Sequence, residues 1–225
     1  REMVACVYEA HLIHPGTISN LVIRAIPPPS LSALTLNQAS LEVRAAGLNF
    51  RDVLNVLGLD PTGLVRPIGG EAAGVIAEVE ASTLYMMVGV HAFGLVPGGL
   101  RSFVRCDARY VSLMPRLPFD QAVSLPVLWT TAHHCMQRAR VYSKASMLIH
   151  AAAGGVGCGG TTLAWHAGAL VHATAGGVCK HAMLRLWEVV HIASSRDASA
   201  FAAHVVRGAR LHSLINALSN DFIST

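Results

Sequence analysis

The residues with the clearest chemical purpose form a glycine-rich run, Gly154, Gly155, Val156 and Gly157. An apolar stretch that predicts a buried strand precedes this run, and a stretch with helical spacing follows it. Glycines let the backbone approach a pyrophosphate closely, and the N-terminus of the following helix supplies N–H donors. The pattern therefore favours a dinucleotide site over a strand–helix turn that is tight only for packing reasons.

Polar residues follow the next two predicted strands. The second strand ends at Thr174 with Lys180 beyond it, and the third is followed by Ser195 and Arg196. No Asp or Glu lies between Asp120 and Glu188, although a site for NAD usually places an acid there. Two cations at strand ends would suit the 2′-phosphate of NADPH. From spacing alone, ordinary solvated charges are an equally good interpretation of Lys180 and Arg196.

The elements that must position these residues divide the chain into two domains. Residues 1–118 predict short strands joined by turns, as in a small, mostly antiparallel barrel or sandwich. Residues 119–225 predict alternating strands and helices, which is the pattern of a parallel sheet. The predicted strands are 21–26, 41–46, 74–80, 88–96, 103–111, 146–150, 170–174, 189–193 and 211–216, and the predicted helices are 49–57, 119–140 with a break at Pro126, 161–167, 180–187 and 198–207.

Composition excludes several classes of protein. The 225 residues are 52% hydrophobic and only 13% charged, against about 25% charged in typical domains, which excludes disorder as the main state. The cations behind the net charge of +4 are scattered, so a nucleic-acid groove is not expected. Two uncharged stretches, 81–100 and 145–179, are interrupted by Gly, Pro and His and predict buried strands and turns, not membrane spans.

The cysteines and the chain start bear on cellular context. Five dispersed cysteines without a CxxC pair predict neither a disulfide scaffold nor a zinc site. They indicate buried thiols in a reducing cytoplasm. No signal peptide is apparent, and the first Met is residue 3, so the chain is expected to be a piece of a longer polypeptide.

Six segments, in the same order, resemble the enoyl reductase domains of polyketide and fatty acid synthases. These domains form part of the zinc-free, quinone-reductase-like branch of the medium-chain dehydrogenase/reductase superfamily. The resemblance covers nearly the whole chain after about Pro15, and it rests on residues 41–54, 69–75, 125–132, 148–157, 191–196 and 214–221.

The resemblance implies a β-rich GroES-like substrate lobe followed by a Rossmann-type nucleotide lobe that is incomplete at its C-terminus, with the active site in the cleft. The implied reaction is NADPH-dependent reduction of an enoyl thioester on an acyl carrier protein, within a multidomain synthase and without a metal. The motif positions place Lys180 and Arg196 on the 2′-phosphate, and Asn49 and Asp52 beside the nicotinamide and substrate. Thr174, Ser195 and Asn216, at strand ends, complete the predicted cofactor contacts.

The sequence also departs from the family. Asp60 stands where relatives often have a Tyr linked to protonation, and Asp60 is therefore a candidate catalytic residue as well as a candidate turn-forming residue before Pro61. Gly159 and Gly160 replace the usual alanines of a helix. These departures leave two alternatives open: a catalytically silent structural or dimerisation domain of a megasynthase, and a free-standing quinone or enone reductase. A homodimer is a further expectation.

Overall fold

A computed structural model describes residues 7–27, 34–197, 199, 201 and 210–217. The chain forms two compact units, Arg1–Val127 and Leu128–Thr225. The division falls inside a helix, whereas the domain boundary expected from the sequence, between residues 118 and 119, precedes that helix. The assignment of functional domains at that boundary stays a prediction.

The first unit is built from antiparallel strands. A hairpin pairs β1 (Val7–Leu12) with β2 (Leu21–Ile26). A five-stranded sheet has the order β6-β3-β4-β5-β7. Its strands are β3 (Gln38–Gly47), β4 (Glu71–Val79), β5 (His91–Leu95), β6 (Phe103–Asp107) and β7 (Val111–Leu113).

Alternating apolar residues of this sheet face one core, in which Leu41, Ile76 and Val96 are fully buried. Two short helices, α1 (Phe50–Val56) and α2 (Phe119–Ala122), complete the unit with the start of α3 (Pro126–Arg138). The single strand predicted over 103–111 is wrong: a 3-10 turn at Ala108–Tyr110 separates β6 from β7. The cause is local, since the Asp107 carboxylate accepts the Arg109 N–H and caps that turn.

The second unit alternates strands and helices. After α3 come β8 (Ser146–Ile149), α4 (Gly155–His166), β9 (Leu170–Ala175), α5 (Val178–Leu186), β10 (His191–Ser194) and β11 (Ser213–Ile215). All strand pairs are parallel, in the order β10-β9-β8-β11, which matches the 3-2-1-4 portion of a Rossmann sheet. The predicted α/β class with a β-rich first half and a parallel second half is therefore confirmed.

Two details of the second unit differ from the sequence prediction. Helix α4 begins at Gly155, not at Thr161, because the glycine run itself forms the first turn of the helix. The helix predicted over 198–207 lies mostly outside the described residues. Within the described part of the chain, no helix is both long and apolar enough to cross a bilayer.

The cysteines differ in their exposure. Cys106 is buried on β6, and this burial, together with the nearby Asp107 charge, raises the pKa of its thiol to about 11. Cys179 is exposed in the first turn of α5. The prediction that the thiols are buried is therefore right for Cys106 and wrong for Cys179, which lies on the outward face of its helix.

Candidate functional site

Four of the predicted cofactor residues line one pocket of about 220 Å³ in the second unit. They are Gly154, Lys180, Ser195 and Arg196, and the remaining lining residues are Ala151, Ala153, Ala175 and Gly176. These residues follow or end β8, β9 and β10, so the pocket lies at the carboxyl edge of the parallel sheet. Open α/β sheets bind their ligands at this edge.

The glycine run begins at the pocket, which Gly154 lines. Gly154 is the N-cap of α4, with extended backbone angles. A Cβ at Gly157 would overlap the carbonyl oxygen of Ala151 and lie 2.6 Å from the Cα of Ala152. Only glycine fits there, and the start of α4 thereby packs closely against the loop that follows β8. The first turn of a helix has no intrahelical acceptors for its N–H groups, so it suits a pyrophosphate.

Two cations, Lys180 and Arg196, also line this pocket. A Cβ on Gly176 would lie 3.1 Å from Nε of Arg196 and 3.3 Å from Oγ of Ser195, so both side chains pack over the end of β9. The Arg196 N–H is held by Oγ of Ser194 at 3.1 Å. No carboxylate belongs to the described lining of the pocket. The pocket therefore presents two cations and a hydroxyl to a ligand, a donor set that suits a phosphate monoester.

Thr174, near the end of β9, holds the loop that contributes Ala151 to the pocket. Its side chain is fully buried, and its Oγ1 lies 3.3 Å from the Ala151 N and 2.9 Å from Nδ1 of His150. Its carbonyl oxygen accepts the Ala152 N–H at 3.0 Å. Desolvation lowers the pKa of His150, which favours the neutral ring beside the hydroxyl. These bonds hold the loop that follows β8, and the role of Thr174 as a cofactor contact stays a prediction.

Asn216 lies directly after β11, at the same carboxyl edge of the sheet, and its side chain is exposed. It does not line the pocket. Its role as a cofactor contact stays a prediction.

In the first unit, Asn49 and Asp52 are fixed at the start of α1. The Asn49 N–H donates to Oδ2 of Asp52 at 2.8 Å, and the other oxygen, Oδ1, accepts the Gly69 N–H at 2.9 Å. The side-chain amide of Asn49 donates to Oε1 of Glu71 at 2.9 Å. Both predicted residues are therefore held in place by hydrogen bonds within this unit.

Glu71 is a functional candidate that the sequence analysis missed. Its carboxylate is buried, and Oε2 accepts the Val127 N–H at 2.8 Å, at the beginning of α3. One signal for it was present, because Glu71 is the sole charged residue between Arg66 and Glu78, at the head of an apolar strand. A lone acid in such a strand indicates a carboxylate with buried partners.

Asp60 is buried, and its contacts are those of an anion. It accepts hydrogen bonds from the Thr62 hydroxyl at 2.6 Å, the Thr62 N–H at 2.9 Å and Nε of Arg51 at 3.1 Å. The Thr62 bonds, with help from Arg51, lower the pKa of Asp60 to about 2. The carboxylate is ionised at neutral pH and has no proton to donate. The structure thus favours the turn-forming role of Asp60 over the catalytic one.

Among the described residues, no group of three or more His, Cys, Asp or Glu side chains is placed to hold a metal ion.

Comparisons with known proteins connect this geometry to a family. No protein-family model matches the chain. The spectinabilin polyketide synthase system protein NorB of Streptomyces orinoci is 37% identical over 92% of the chain, and the pikromycin polyketide synthase component PikAII of Streptomyces venezuelae is 35% identical over 94%. The chain spans only 10% and 6% of these two relatives.

Similar solved structures point to the same family as the sequence relatives. The CurK enoyl reductase is 33% identical with a TM-score of 0.87, over 96% of this chain and 69% of that one. The JamJ enoyl reductase is 26% identical with a TM-score of 0.87, over 98% and 70% of the two chains. A quinone oxidoreductase from Coxiella burnetii, 23% identical with a TM-score of 0.82, shares the fold. The chain belongs to the enoyl reductase domains of polyketide synthases, in the medium-chain dehydrogenase/reductase superfamily of oxidoreductases.

Proposed function

We propose that this domain binds NADPH and reduces an α,β-unsaturated thioester carried on an acyl carrier protein of a polyketide synthase. The observation that supports the choice of cofactor is the pocket in which Lys180, Ser195 and Arg196 meet the glycine run. Glycines and a helix N-terminus suit a pyrophosphate, and the two cations suit an additional phosphate. Bound NADPH would supply the hydride for the β-carbon of the thioester.

In this proposal the residues of the chain bind the cofactor and orient it and the substrate. Gly154 to Gly157 hold the pyrophosphate, Lys180 and Arg196 hold the 2′-phosphate, and Thr174 fixes the loop between them. Asn49 and Asp52 keep the roles beside nicotinamide and substrate that their motif implies, and their hydrogen bonds preorganise them. Asp60 does not serve as the proton donor, because its carboxylate is ionised at neutral pH.

Partners and location belong to the proposal too. The similarity to large polyketide synthases supports neighbouring synthase domains and a carrier protein as partners, and a homodimer is a further proposal. A cytoplasmic location is supported by the four described cysteines, all of which are free thiols.

Titration of the chain with NADPH and with NADH, followed by cofactor fluorescence, tests the cofactor assignment. Lys180→Ala should weaken NADPH binding about tenfold and leave NADH binding nearly unchanged, because only NADPH carries the 2′-phosphate. Arg185→Ala is the matched control, since Arg185 lies on the same helix but does not line the pocket. Equal weakening of both nucleotides by Lys180→Ala would contradict the assignment.

Turnover tests the reaction. The parent synthase should reduce a crotonyl thioester with NADPH, and it should lose that activity with Gly157→Ala. A parent protein that binds NADPH but reduces no enoyl thioester would instead support the silent structural domain.

A further inference from the structure

A second pocket, of about 360 Å³, lies in the first unit and shares no residue with the nucleotide pocket. Strands β1 and β2 form one side of it, and the segments 65–68 and 98–101 form the other. Three arginines line it: Arg24, Arg66 and Arg101. Such a concentration is unusual in a chain whose cations are otherwise scattered.

A single carboxylate holds two of these arginines. Glu9 on β1 is 9% exposed. Its Oε1 accepts from Nε and Nη2 of Arg24 at 2.8 and 2.6 Å, and its Oε2 accepts from Nη2 of Arg101 at 3.0 Å. Both carboxylate oxygens are thus engaged, and the two guanidinium groups are fixed at the pocket wall.

The single negative charge of Glu9 cannot neutralise three guanidinium groups, and some of their N–H donors have no acceptor among the described residues. Nε of Arg101 is buried and has no hydrogen-bond partner among the described residues. Arg66 is held through its main chain, where Asn55 bonds its carbonyl oxygen at 2.7 Å and its N–H at 3.2 Å. Within the described part of the chain, its guanidinium forms no ion pair. A buried donor without a partner costs free energy unless a ligand or water satisfies it.

We propose that this pocket binds a small organic anion through phosphate or carboxylate oxygens. Guanidinium groups present planar pairs of donors that match both oxyanions. Leu12, Val65 and Pro67 add apolar walls, which suit a ligand with a short uncharged body. The volume lies at the lower end of the range for small-molecule sites, about 300 to 1,000 Å³. Glu9 acts as the tether that keeps Arg24 and Arg101 in place when the site is empty.

Amide NMR of the whole chain can follow this pocket separately from the nucleotide pocket. Gly98 is a suitable reporter, because a Cβ there would lie 3.4 Å from Nη2 of Arg101. Gly154 reports on the other pocket. Inorganic phosphate and acetate, added at constant ionic strength, serve as the two probes. We expect a saturable shift of the Gly98 signal with at least one of them, and the preferred probe identifies the oxyanion.

Three variants sharpen the test. Arg66→Gln leaves the ion pairs of Glu9 intact and should weaken binding about tenfold. Glu9→Gln removes the only carboxylate among the lining residues that the structure describes, and with it the tether of Arg24 and Arg101, so it should also weaken binding. Arg44→Gln breaks an exposed ion pair with Glu42 outside the pocket and should change nothing. The proposal is overturned if Gly98 shows no saturable shift, or if Arg44→Gln weakens binding as much as Arg66→Gln does.

Discussion

The side-chain amide of Asn49 donates a hydrogen bond of 2.9 Å to the buried carboxylate of Glu71, 22 residues further along the chain. The second oxygen of the same carboxylate accepts the Val127 N–H. Glu71 thereby couples a residue of the family motif to the first turn of α3. These bonds explain why a carboxylate can be buried at the start of β4: each of its two oxygens accepts a hydrogen bond from an N–H group in place of water.

Replacement of Glu71 by Gln should destabilise the first unit. An amide has one acceptor oxygen, so its NH2 group must face either the Val127 N–H or the Asn49 side chain. The Asn49 amide would then keep a hydrogen bond to it only by turning over to present its own oxygen. We expect a loss of about 1 to 3 kcal/mol in the free energy of unfolding, measured by urea denaturation. Glu42→Gln, on the neighbouring strand β3 with a half-exposed side chain, should cost less than about 0.5 kcal/mol. Equal effects of the two variants would refute the positioning role.

The two buried threonines of the second unit should respond differently to the same substitution. Thr174→Val removes the hydroxyl that holds the Ala151 N–H and the His150 ring, and should cost about 1 to 2 kcal/mol of stability. Thr161 is also fully buried, but its hydroxyl has no hydrogen-bond partner among the described residues. Thr161→Val should therefore be neutral or stabilising in thermal unfolding.

Nucleotide binding separates positioning from direct contact at Thr174. Thr174→Val should weaken NADPH and NADH by the same factor, because the loop beneath the pyrophosphate loses its support. Thr174→Ser keeps the hydroxyl and should restore binding. A variant that lost only NADPH binding would show that Thr174 acts near the 2′-phosphate after all.

The low pKa of Asp60 makes a prediction about acid stability. The carboxylate is bonded as an anion in the folded state, so its contribution is complete above its ordinary pKa of 3.8. That contribution is lost as the pH falls from about 4 to about 2, through the folded-state value. Asp60→Asn should therefore lower the Tm at pH 6, and the difference from the natural chain should shrink as the pH approaches 2. A difference in Tm that is constant across this range would contradict the assigned contacts.

Local patterns in the sequence were enough to predict that Gly154, Lys180 and Arg196 lie close together, although the nucleotide they are proposed to bind is untested. The contact that demands Gly157 comes from Ala151 and Ala152, only a few residues earlier, so the glycine run carries its own structural signature. The strand ends that bring Lys180 and Arg196 to one pocket follow from parallel pairing, which the alternation of strands and helices predicts.

Long-range contacts could not be predicted in the same way. Glu71 is identified by partners 22 and 56 residues away, and Glu9 by arginines on β2 and in the 98–101 segment. Strand β1 escaped prediction because Glu9 and His11 interrupt its apolar pattern, although pairing with β2 buries the carboxylate. The burial of Asp60 likewise depends on how the turn at residues 60–63 folds, and no local sequence pattern predicts that burial.

Glycines 159 and 160, which replace the usual alanines in α4, should differ in their tolerance of alanine. A Cβ at Gly160 would meet Ile215 and Ile149 at 3.5 and 3.6 Å, ordinary packing distances. Gly160→Ala should therefore raise stability by about 1 kcal/mol, the helix propensity gained.

A Cβ at Gly159 would lie 2.8 Å from Cδ2 of Leu128 and 3.1 Å from Cβ of Ala132, so α3 approaches α4 too closely for alanine. The Leu128 side chain would have to move, and this rearrangement offsets the propensity gain. We expect Gly159→Ala to be at least about 1 kcal/mol less stable than Gly160→Ala in urea denaturation, since overpacking costs about 1 to 3 kcal/mol. If both variants gained equally, close helix packing would not explain Gly159. A gain confined to Gly160→Ala would mean that one glycine serves packing and the other only weakens the helix.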